Sequence, residues 1–319
     1  MVHKPSLVSI VLPTHNRGHL ISRAIKSILR QTYDNFEVII VDDGSIDNTE
    51  PVVLSFNDSR IRYLRRNENL GGSSARNMGI KASKGKFIAF LDSDDIWLPQ
   101  KLERQMRIFE ESSPKVGVVY CEWAQFKGEK LRGHRYIKKK VREGDIHKLI
   151  DNYDFFIPTP TILLRKSCLE KTGLFDERFR AQEDFDLLIR LSRHYHFRYI
   201  KTPLVIQYHT GVLRYKARVK TNFLLLKKYP HLFENNKGFL FNYYFHTGKY
   251  FFFEKNEKKK IWQNYLRYAL KINPISFYSI KIFILYFSGY LVEETKLHGL
   301  FQTLYKKISS SIMLWILKF

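Results

Sequence analysis

The sequence has little of what marks disulfide-bonded, secreted or membrane-spanning proteins. Its two cysteines, Cys121 and Cys168, provide neither a disulfide framework nor a Cys-x-x-Cys metal site. Two uncharged apolar runs near the C-terminus, residues 282–292 and 308–317, are shorter than the ~20 residues of a spanning helix. The N-terminal run Leu7–Leu12 is too short for the apolar part of a signal peptide. We therefore expect a cytoplasmic protein that lies peripherally on the cytoplasmic face of the membrane.

Acidic residues are scarce in the last third of the chain. Residues 211–319 contain 19 Lys and Arg, five Glu and no Asp, so they contribute +14 of the formal net charge of +23. They also contain 26 aromatic residues. Because basic groups bind phosphates while aromatic rings lie at headgroup depth or stack on bases, this third is expected to bind an anionic membrane surface or a nucleic acid. A solvated basic face over a helical core is the alternative.

Short apolar runs alternate with helix-like segments through the first 120 residues or so. The runs read "LVSIVL", "FEVIIV", "IRYL", "KFIAFL" and "VGVVY", a pattern that predicts a parallel sheet covered on both faces. The segment Lys127–Arg142 has eight Lys or Arg against one Glu, which predicts a mobile surface loop. From about Leu213 the pattern becomes helical. We predict a first domain over residues 1–212 and a basic, aromatic-rich helical region over 213–319.

Two groups of carboxylates follow predicted strands. "VDDGS" comes after the second strand, and "FLDSDDIW" takes the fourth strand directly into three aspartates. In a parallel sheet, ligands bind outside the carboxyl ends of the strands. Asp92 and Asp94 can turn toward one point, where a hard divalent cation would bind them together with phosphate oxygens. Alternatively, Asp92 or Asp95 caps the helix that follows.

Five motifs occur in an order that resembles the family 2 glycosyltransferases, which have a GT-A fold. They read "VSIVLPTHNR", "VDDGSIDNT", "NLGGSSARNMGI", "GKFIAFLDSDD" and "EDFDLLIRL", and they extend from Val8 to Leu191. The resemblance implies an α/β, Rossmann-like nucleotide-sugar-binding domain with a mostly parallel central sheet, followed here by a C-terminal α-helical region. It also implies an inverting transfer from a nucleoside-diphosphate sugar, commonly UDP-linked, with Mn²⁺ or Mg²⁺ as cofactor. The acceptor would be a saccharide or lipid-linked saccharide in surface polysaccharide or glycan biosynthesis.

The resemblance also implies roles on the nucleotide side of the site. Pro13 and Thr14 match the segment that packs against the base and ribose. Asp43 matches the aspartate that hydrogen-bonds the base, and Asp42 is expected to hold the loop. Arg76 matches a residue that braces the nucleotide site, although it could simply neutralise the aspartates.

The metal and the general base are assigned in the same way. Asp92 and Asp94 match the Asp-x-Asp motif, with Asp94 as the metal ligand and Asp92 nearer the ribose or metal. Asp184 matches the general base that takes the proton of the acceptor hydroxyl. On the residues alone, Glu183 and Asp186 compete for this role, because acids are expected at the start of any helix.

Two further features concern the diphosphate and the extent of transfer. His209, in "VIQYHTG", falls where many relatives place a histidine near the metal and diphosphate, although a lone histidine beside a strand is more often structural. The Gln-x-x-Arg-Trp motif of processive polysaccharide synthases is replaced by "LLIRLSRHY". We therefore expect the addition of one sugar or a few, and no continuous polymerisation.

Two other classes of protein were weighed against an enzyme. A receiver-type signalling domain places its acidic pair after the first strand, which here ends in "PTHN". A non-enzymatic basic protein that binds nucleic acid or membrane on an α/β scaffold would use the net charge of +23. It leaves the acidic strand ends unexplained, because carboxylates repel nucleic-acid phosphates unless metal is bound. The predicted partners are therefore a sugar-nucleotide donor, a saccharide or lipid-linked acceptor and a membrane surface, without nucleic acid.

Overall fold

The structure, a computed structural model, divides into two compact units, Met1–Leu213 and Arg214–Phe319. Each unit is described here by itself. The structure describes residues 5–127, 130–134, 143–151, 157–208 and 215–234, with short stretches between residues 236 and 271.

The first half of the first unit is a four-stranded parallel sheet with the order β3-β2-β1-β4. Strand order reverses beside β1, so the carboxyl ends of β1, β2 and β4 meet at one edge of the sheet. The elements are β1 (Val8–Thr14), α1 (Ile21–Leu29), β2 (Phe36–Asp43), α2 (Thr49–Leu54), β3 (Ile61–Arg66), α3 (Gly72–Ala82) and β4 (Phe87–Phe90).

The second half extends this sheet with strands of both directions, in the order β4-β8-β6-β9-β5, and β7 pairs with β6. Strands β6 and β9 are parallel, whereas β8 is antiparallel to both β4 and β6. The predicted α/β fold class, with its Rossmann-like N-terminal part, is confirmed. The elements are β5 (Ile96–Trp97), α4 (Lys101–Glu110), β6 (Val116–Lys127), β7 (Lys130–His134), α5 (His147–Asp151), β8 (Ile162–Arg165), α6 (Lys166–Thr172), α7 (Glu183–Ser192) and β9 (His196–Tyr208).

Burial on both faces explains why the strand ends are well positioned. All eight residues of β2 are buried, as expected for a central strand covered by helices on both sides. Helix α1 buries Ile21, Ala24, Ile25 and Ile28, which recur at the spacing of one helix face. The polar groups at the carboxyl edge therefore project from a close-packed support.

The prediction of a surface loop over Lys127–Arg142 is wrong for part of that segment. Lys127 is the last residue of β6, and Lys130–His134 forms β7, with Lys127 opposite Lys130. A run of charged side chains indicates solvation, but it does not prevent the backbone from pairing at a sheet edge, where charged strands are common. Residues 135–142 lie outside the described residues.

The described part of the second unit is helical, with α8 (Tyr215–Lys228) and α9 (His231–Glu234). Aromatic rings pack together here: the ring centroid of Tyr243 lies 5.8 Å from that of Phe223 and 5.7 Å from that of Phe233. The apolar runs 282–292 and 308–317 lie outside the described residues. Among the helices that are described, none combines the length and apolar character needed to cross a bilayer.

Candidate active site

The site is built around the end of β1, where Pro13 and Thr14 complete the strand. Thr14 is paired in register with Asp42 of β2, and Pro13 with Val41. Thr14 is only 4% exposed, and its Oγ1 makes no hydrogen bond within the described part of the chain. Because a buried hydroxyl without a partner is unfavourable, this atom is suited to a hydrogen bond from a ligand.

Asp42 fixes the turn that follows β2. Its Oδ1 accepts a hydrogen bond of 2.8 Å from the backbone N–H of Ser45, and its Oδ2 accepts one from the hydroxyl of Tyr63. Ser45 Oγ in turn accepts a hydrogen bond of 2.8 Å from the N–H of Asn16, which follows β1. The two loops at this end of the sheet are therefore tied together by the protein itself.

Asp43 holds the segment that leads into α3. Its Oδ1 accepts hydrogen bonds from Arg66 Nη2 and from the N–H of Leu70 at 3.0 Å, and its Oδ2 accepts one from the N–H of Gly71 at 2.6 Å. Gly71 has φ +92°, and a Cβ added there would lie 2.0 Å from Arg180 Nη1, so glycine is required. A carboxylate accepts about four hydrogen bonds, which leaves Oδ2 able to bind one further donor.

Arg76 of α3 connects the end of β4 with the start of α7. Its Nη2 lies 2.6 Å from Asp92 Oδ1, and its Nη1 lies 2.9 Å from Glu183 Oε1. The side chain is buried, and although burial disfavours its charge, Asp92 and Glu183 raise the pKa of Arg76 above its usual range. These contacts agree with the alternative in which Arg76 neutralises nearby acids. They also bring Arg76 and Asp92, two of the predicted site residues, into one cluster.

Asp95 closes the loop after β4 onto β9. It is 3% exposed, and its carboxylate accepts hydrogen bonds from the N–H of Tyr208 at 3.1 Å and from Gln207 Nε2 at 3.2 Å. The alternative that Asp92 or Asp95 caps the next helix is wrong, because α4 begins after Gln100 and no side chain caps it. The sequence could not show which groups hold Asp95, because its hydrogen-bond donors come from more than 100 residues away.

The loop after β4 concentrates negative charge. Burial, followed by the charges of Asp92 and Asp94, raises the pKa of Asp95 well above its usual range. Such a potential favours a cation, and a divalent ion needs only one or two carboxylates when phosphate oxygens complete its shell. Within the described residues no group of three or more His, Cys, Asp or Glu could hold a metal alone. The assignment of Asp92 and Asp94 to an ion shared with a ligand stays a prediction, and the third predicted ligand, His209, lies outside the described residues.

Two of the three acids at the start of α7 form ion pairs with arginines. Glu183 pairs with Arg76, as described above. Asp186 is fully buried and lies 2.8 Å from Arg190 Nη2, and Arg190 also donates to the carbonyls of residues 172–174. The i,i+4 spacing of Asp186 and Arg190 was a signal for this pair that the sequence analysis did not use.

Asp184 is the acid of α7 that forms no ion pair with an arginine among the described residues. Among the described residues its carboxylate receives one hydrogen bond, 2.8 Å from the N–H of Phe185. Burial, together with the charges of Glu183 and Asp92, raises the pKa of Asp184 to about 7, although Arg76 acts in the opposite direction. A carboxylate of this kind is a stronger base than an exposed aspartate, and it can exchange a proton near neutral pH.

Helix α3 also binds the segment that precedes α7. Asn77 Nδ2 donates to the carbonyl of Phe175 and to Glu177 Oε1, both at 2.9 Å, and Asn77 Oδ1 accepts from the N–H of Phe175 at 3.0 Å. Ser73 Oγ donates to the carbonyl of Phe179 at 2.9 Å. These contacts join residues about 100 positions apart, so no local pattern could predict them.

The structure is an open α/β sheet with acids at its switch point, which is where such sheets bind their ligands. The chain belongs to glycosyl transferase family 2, whose family model matches residues 9–173. The predicted family membership is confirmed.

Curated relatives are similar over the first three fifths of the chain. An uncharacterized glycosyltransferase of Rickettsia prowazekii is 39% identical over 193 residues, which are 59% of each chain. The UDP-Glc:alpha-D-GlcNAc-diphosphoundecaprenol beta-1,3-glucosyltransferase WfgD of Escherichia coli is 36% identical over 187 residues, 59% of this chain and 70% of that one. The match thus spans about three fifths of the length of the first of these relatives.

Solved structures share the fold at low sequence identity. S. aureus TarS 1-349 in complex with UDP-GlcNAc has a TM-score of 0.58 and 17% identity, and the match covers 92% of both chains. The mannosyltransferase PcManGT from Pyrobaculum calidifontis, in complex with GDP-Man and Mn²⁺, has a TM-score of 0.54 and 16% identity, covering 98% of this chain and 87% of that one. At these identities the likeness concerns the fold alone.

Proposed function

We propose that the protein transfers a sugar from a UDP-sugar, with inversion, to a lipid-linked saccharide. The observation that carries the proposal is the cluster held by Arg76, which brings Asp92 of the donor side together with the start of α7, where Asp184 has a pKa of about 7. Two of the similar proteins support the choice of donor and acceptor. By its name, WfgD uses UDP-Glc and an acceptor linked to diphosphoundecaprenol, and the TarS structure is a complex with UDP-GlcNAc.

On the donor side, the carboxyl edge of the sheet supplies polar groups to a nucleotide. Thr14 Oγ1 lacks a partner within the described residues, and Asp43 retains acceptor capacity at Oδ2. We assign them, with Pro13, to the nucleoside. Asp92 and Asp94 would hold Mn²⁺ or Mg²⁺, which when bound neutralises the diphosphate as it leaves. Arg76, buried between two carboxylates, keeps Asp92 in place and braces this part of the site.

On the acceptor side, Asp184 acts as the general base. The acceptor hydroxyl oxygen forms a bond to the anomeric carbon while the bond from that carbon to the diphosphate oxygen breaks. The hydroxyl proton passes to the carboxylate of Asp184, and the nucleoside diphosphate leaves on the opposite face, so configuration inverts. Glu183 and Asp186 form ion pairs with Arg76 and Arg190, which leaves Asp184 as the acid of α7 that we assign to the acceptor.

We assign to the second unit the role of binding the membrane that carries the acceptor. Its excess of Lys and Arg and its many aromatic residues suit an anionic lipid surface. Transfer of one sugar or a few fits the absence of the Gln-x-x-Arg-Trp sequence from this chain.

The experiment incubates the purified full chain with a panel of sugar nucleotides, Mn²⁺ and a GlcNAc-diphospholipid acceptor. Transfer is measured as the release of the nucleoside diphosphate. Activity is expected with a UDP-sugar, and chelation of the metal should abolish it. Asp94→Ala should be inactive, whereas the matched control Asp34→Ala, an exposed aspartate before β2, should retain wild-type activity. Full activity of Asp94→Ala, or no release from any sugar nucleotide, would reject the proposal.

A further inference from the structure

A groove of about 490 Å³ lies between α1 and the segment that starts at β5. One wall carries Arg23 and Lys26 of α1, with His19 in the turn before the helix and Arg30 at its C-terminal end. The opposite wall is apolar and is formed by residues 96–99. No acidic residue is found among the described residues that line it.

No acid of the described residues pairs with the exposed basic side chains of this wall. His19, Lys26 and Arg30 are exposed and form no ion pair with any described residue. No Asp or Glu precedes Asp34 in the sequence, so α1 has no acid of its own. The two cationic side chains of Lys26 and Arg30 beside an apolar wall suit a ligand that has both an anionic group and a hydrocarbon chain.

Arg23 places one end of the groove next to the candidate active site. Its Nη2 donates a hydrogen bond of 3.0 Å to the carbonyl of Asp94, and its guanidinium carbon lies 3.9 Å from the ring centroid of Tyr208. Arg23 Nε is buried and makes no hydrogen bond within the described part of the chain. The far end is marked by Thr32, whose N–H donates to the carbonyl of Pro99 at 2.9 Å.

We infer that this groove binds the diphosphate and the first part of the lipid chain of a polyprenyl-diphosphate-linked acceptor, an inference that rests on the proposed function. In such an acceptor the diphosphate is attached to the anomeric carbon of the first sugar. When another hydroxyl of that sugar reaches the donor, the diphosphate lies about one sugar ring away. The groove has Arg23, hydrogen-bonded to the carbonyl of Asp94, at one end and continues along α1, so a diphosphate held there would lie beside the loop that follows β4.

Two acceptors separate recognition of the diphosphate from general acceptor binding. One is GlcNAc α-linked through a diphosphate to a water-soluble phenoxyalkyl chain, and the other is a GlcNAc glycoside of the same chain without phosphate. In the full-length protein, Lys26→Ala/Arg30→Ala should raise KM for the diphosphate acceptor about tenfold. The KM for the donor, kcat and the KM for the neutral glycoside should not change, and added salt should reduce the difference.

A matched variant controls for the loss of two positive charges. Lys84→Ala/Lys86→Ala removes two exposed lysines just before β4, at the amino end of the sheet, and should behave as wild type. Equal effects of the two double variants, an unchanged KM in the groove variant, or an equal rise for both acceptors would each refute the groove as a diphosphate site.

Binding without transfer distinguishes this inference from the proposed function. Calorimetric titration of the diphosphate acceptor in the absence of donor should show the same tenfold weakening in the groove variant. If the wild type transfers no sugar but this difference in binding remains, the proposed function fails while the groove assignment survives. If the groove variant instead loses binding only to phosphatidylglycerol vesicles and binds the acceptor normally, the groove reads the membrane surface and the inference is wrong.

Discussion

The acids at the end of β2 and those around the start of α7 lie in the same unit but are held differently. Asp42 and Asp43 accept five hydrogen bonds from the protein, so their positions are determined by donors of neighbouring loops. Around α7, two carboxylates share Arg76 and one is paired with Arg190, while Asp184 receives a single N–H donor among the described residues.

This difference separates acids that support the site from an acid that is available for chemistry. The several donors around Asp42 and Asp43 fix these two carboxylates in place and tie the adjoining loops to them. A part-buried carboxylate with few donors has a raised pKa and can take a proton at neutral pH. The four predictions that follow test this distinction.

The largest effect is expected from Asp184→Asn. Removing the base should lower kcat by about a thousandfold, because a positioned general base contributes roughly that factor. Unfolding in urea should show no loss of stability, since the charge at this position is unfavourable in the folded protein. Release of nucleoside diphosphate under saturating substrates is the measurement. If Glu183→Gln lost the thousandfold instead, the assignment within α7 would be reversed.

Asp186→Asn should act on stability and leave chemistry nearly intact. The substitution leaves Arg190 without its buried partner, which is expected to lower the free energy of unfolding by about 3 kcal/mol. The kcat of the folded protein should remain within a few-fold of wild type. Urea denaturation measures the first and active-site titration the second. A stable but inactive Asp186→Asn variant would contradict the comparison.

The pH dependence should follow Asp184. With a pKa of about 7, the basic form is lost as pH falls, so kcat/KM should drop about fiftyfold between pH 7 and pH 5. The sign for stability is opposite: a pKa raised from 3.8 means that the folded state binds the proton more tightly. This contribution is full below pH 4 and is lost as pH rises through 7. Asp184→Asn should remove both dependences, which a rate profile and unfolding midpoints can show.

The smallest effect is expected at the end of β2. Asp43→Asn should raise KM for the donor about tenfold, since one hydrogen-bond acceptor for the base is lost, with kcat little changed. Asp42→Asn is the matched control, because the carboxylate of Asp42 accepts hydrogen bonds from Ser45 and Tyr63 of the protein itself; this variant should lower stability and leave the donor KM unchanged. Donor titrations at fixed acceptor measure both. An equal rise of KM in the two variants would mean that both acids are structural.

Much of the fold could be predicted from the sequence because its signals are local. Apolar runs between helical patterns identified β1, β2, β3, β4 and β6, and the order of motifs identified the family. The charged segment after β6 was misjudged, because side-chain charge says little about whether a backbone finds a partner strand. The placement of Asp43 and Asp92 at the carboxyl edge of the sheet also followed from the predicted strand ends, while the roles of these acids and of Asp184 remain predictions.

The sequence by itself determined which acids stand at strand ends and helix starts, because those positions follow from patterns a few residues long. Only the tertiary structure decided which hydrogen-bond and ion-pair partners each acid has. Arg76 reaches Glu183 across 107 positions, and Asp95 reaches Tyr208 across 113. Hydrogen bonds and ion pairs of this kind depend on which distant segments pack together, and they set the charge and basicity of each carboxylate. In the sequence the family motif singles out Asp184, and packing shows that Glu183 and Asp186 pair with Arg76 and Arg190.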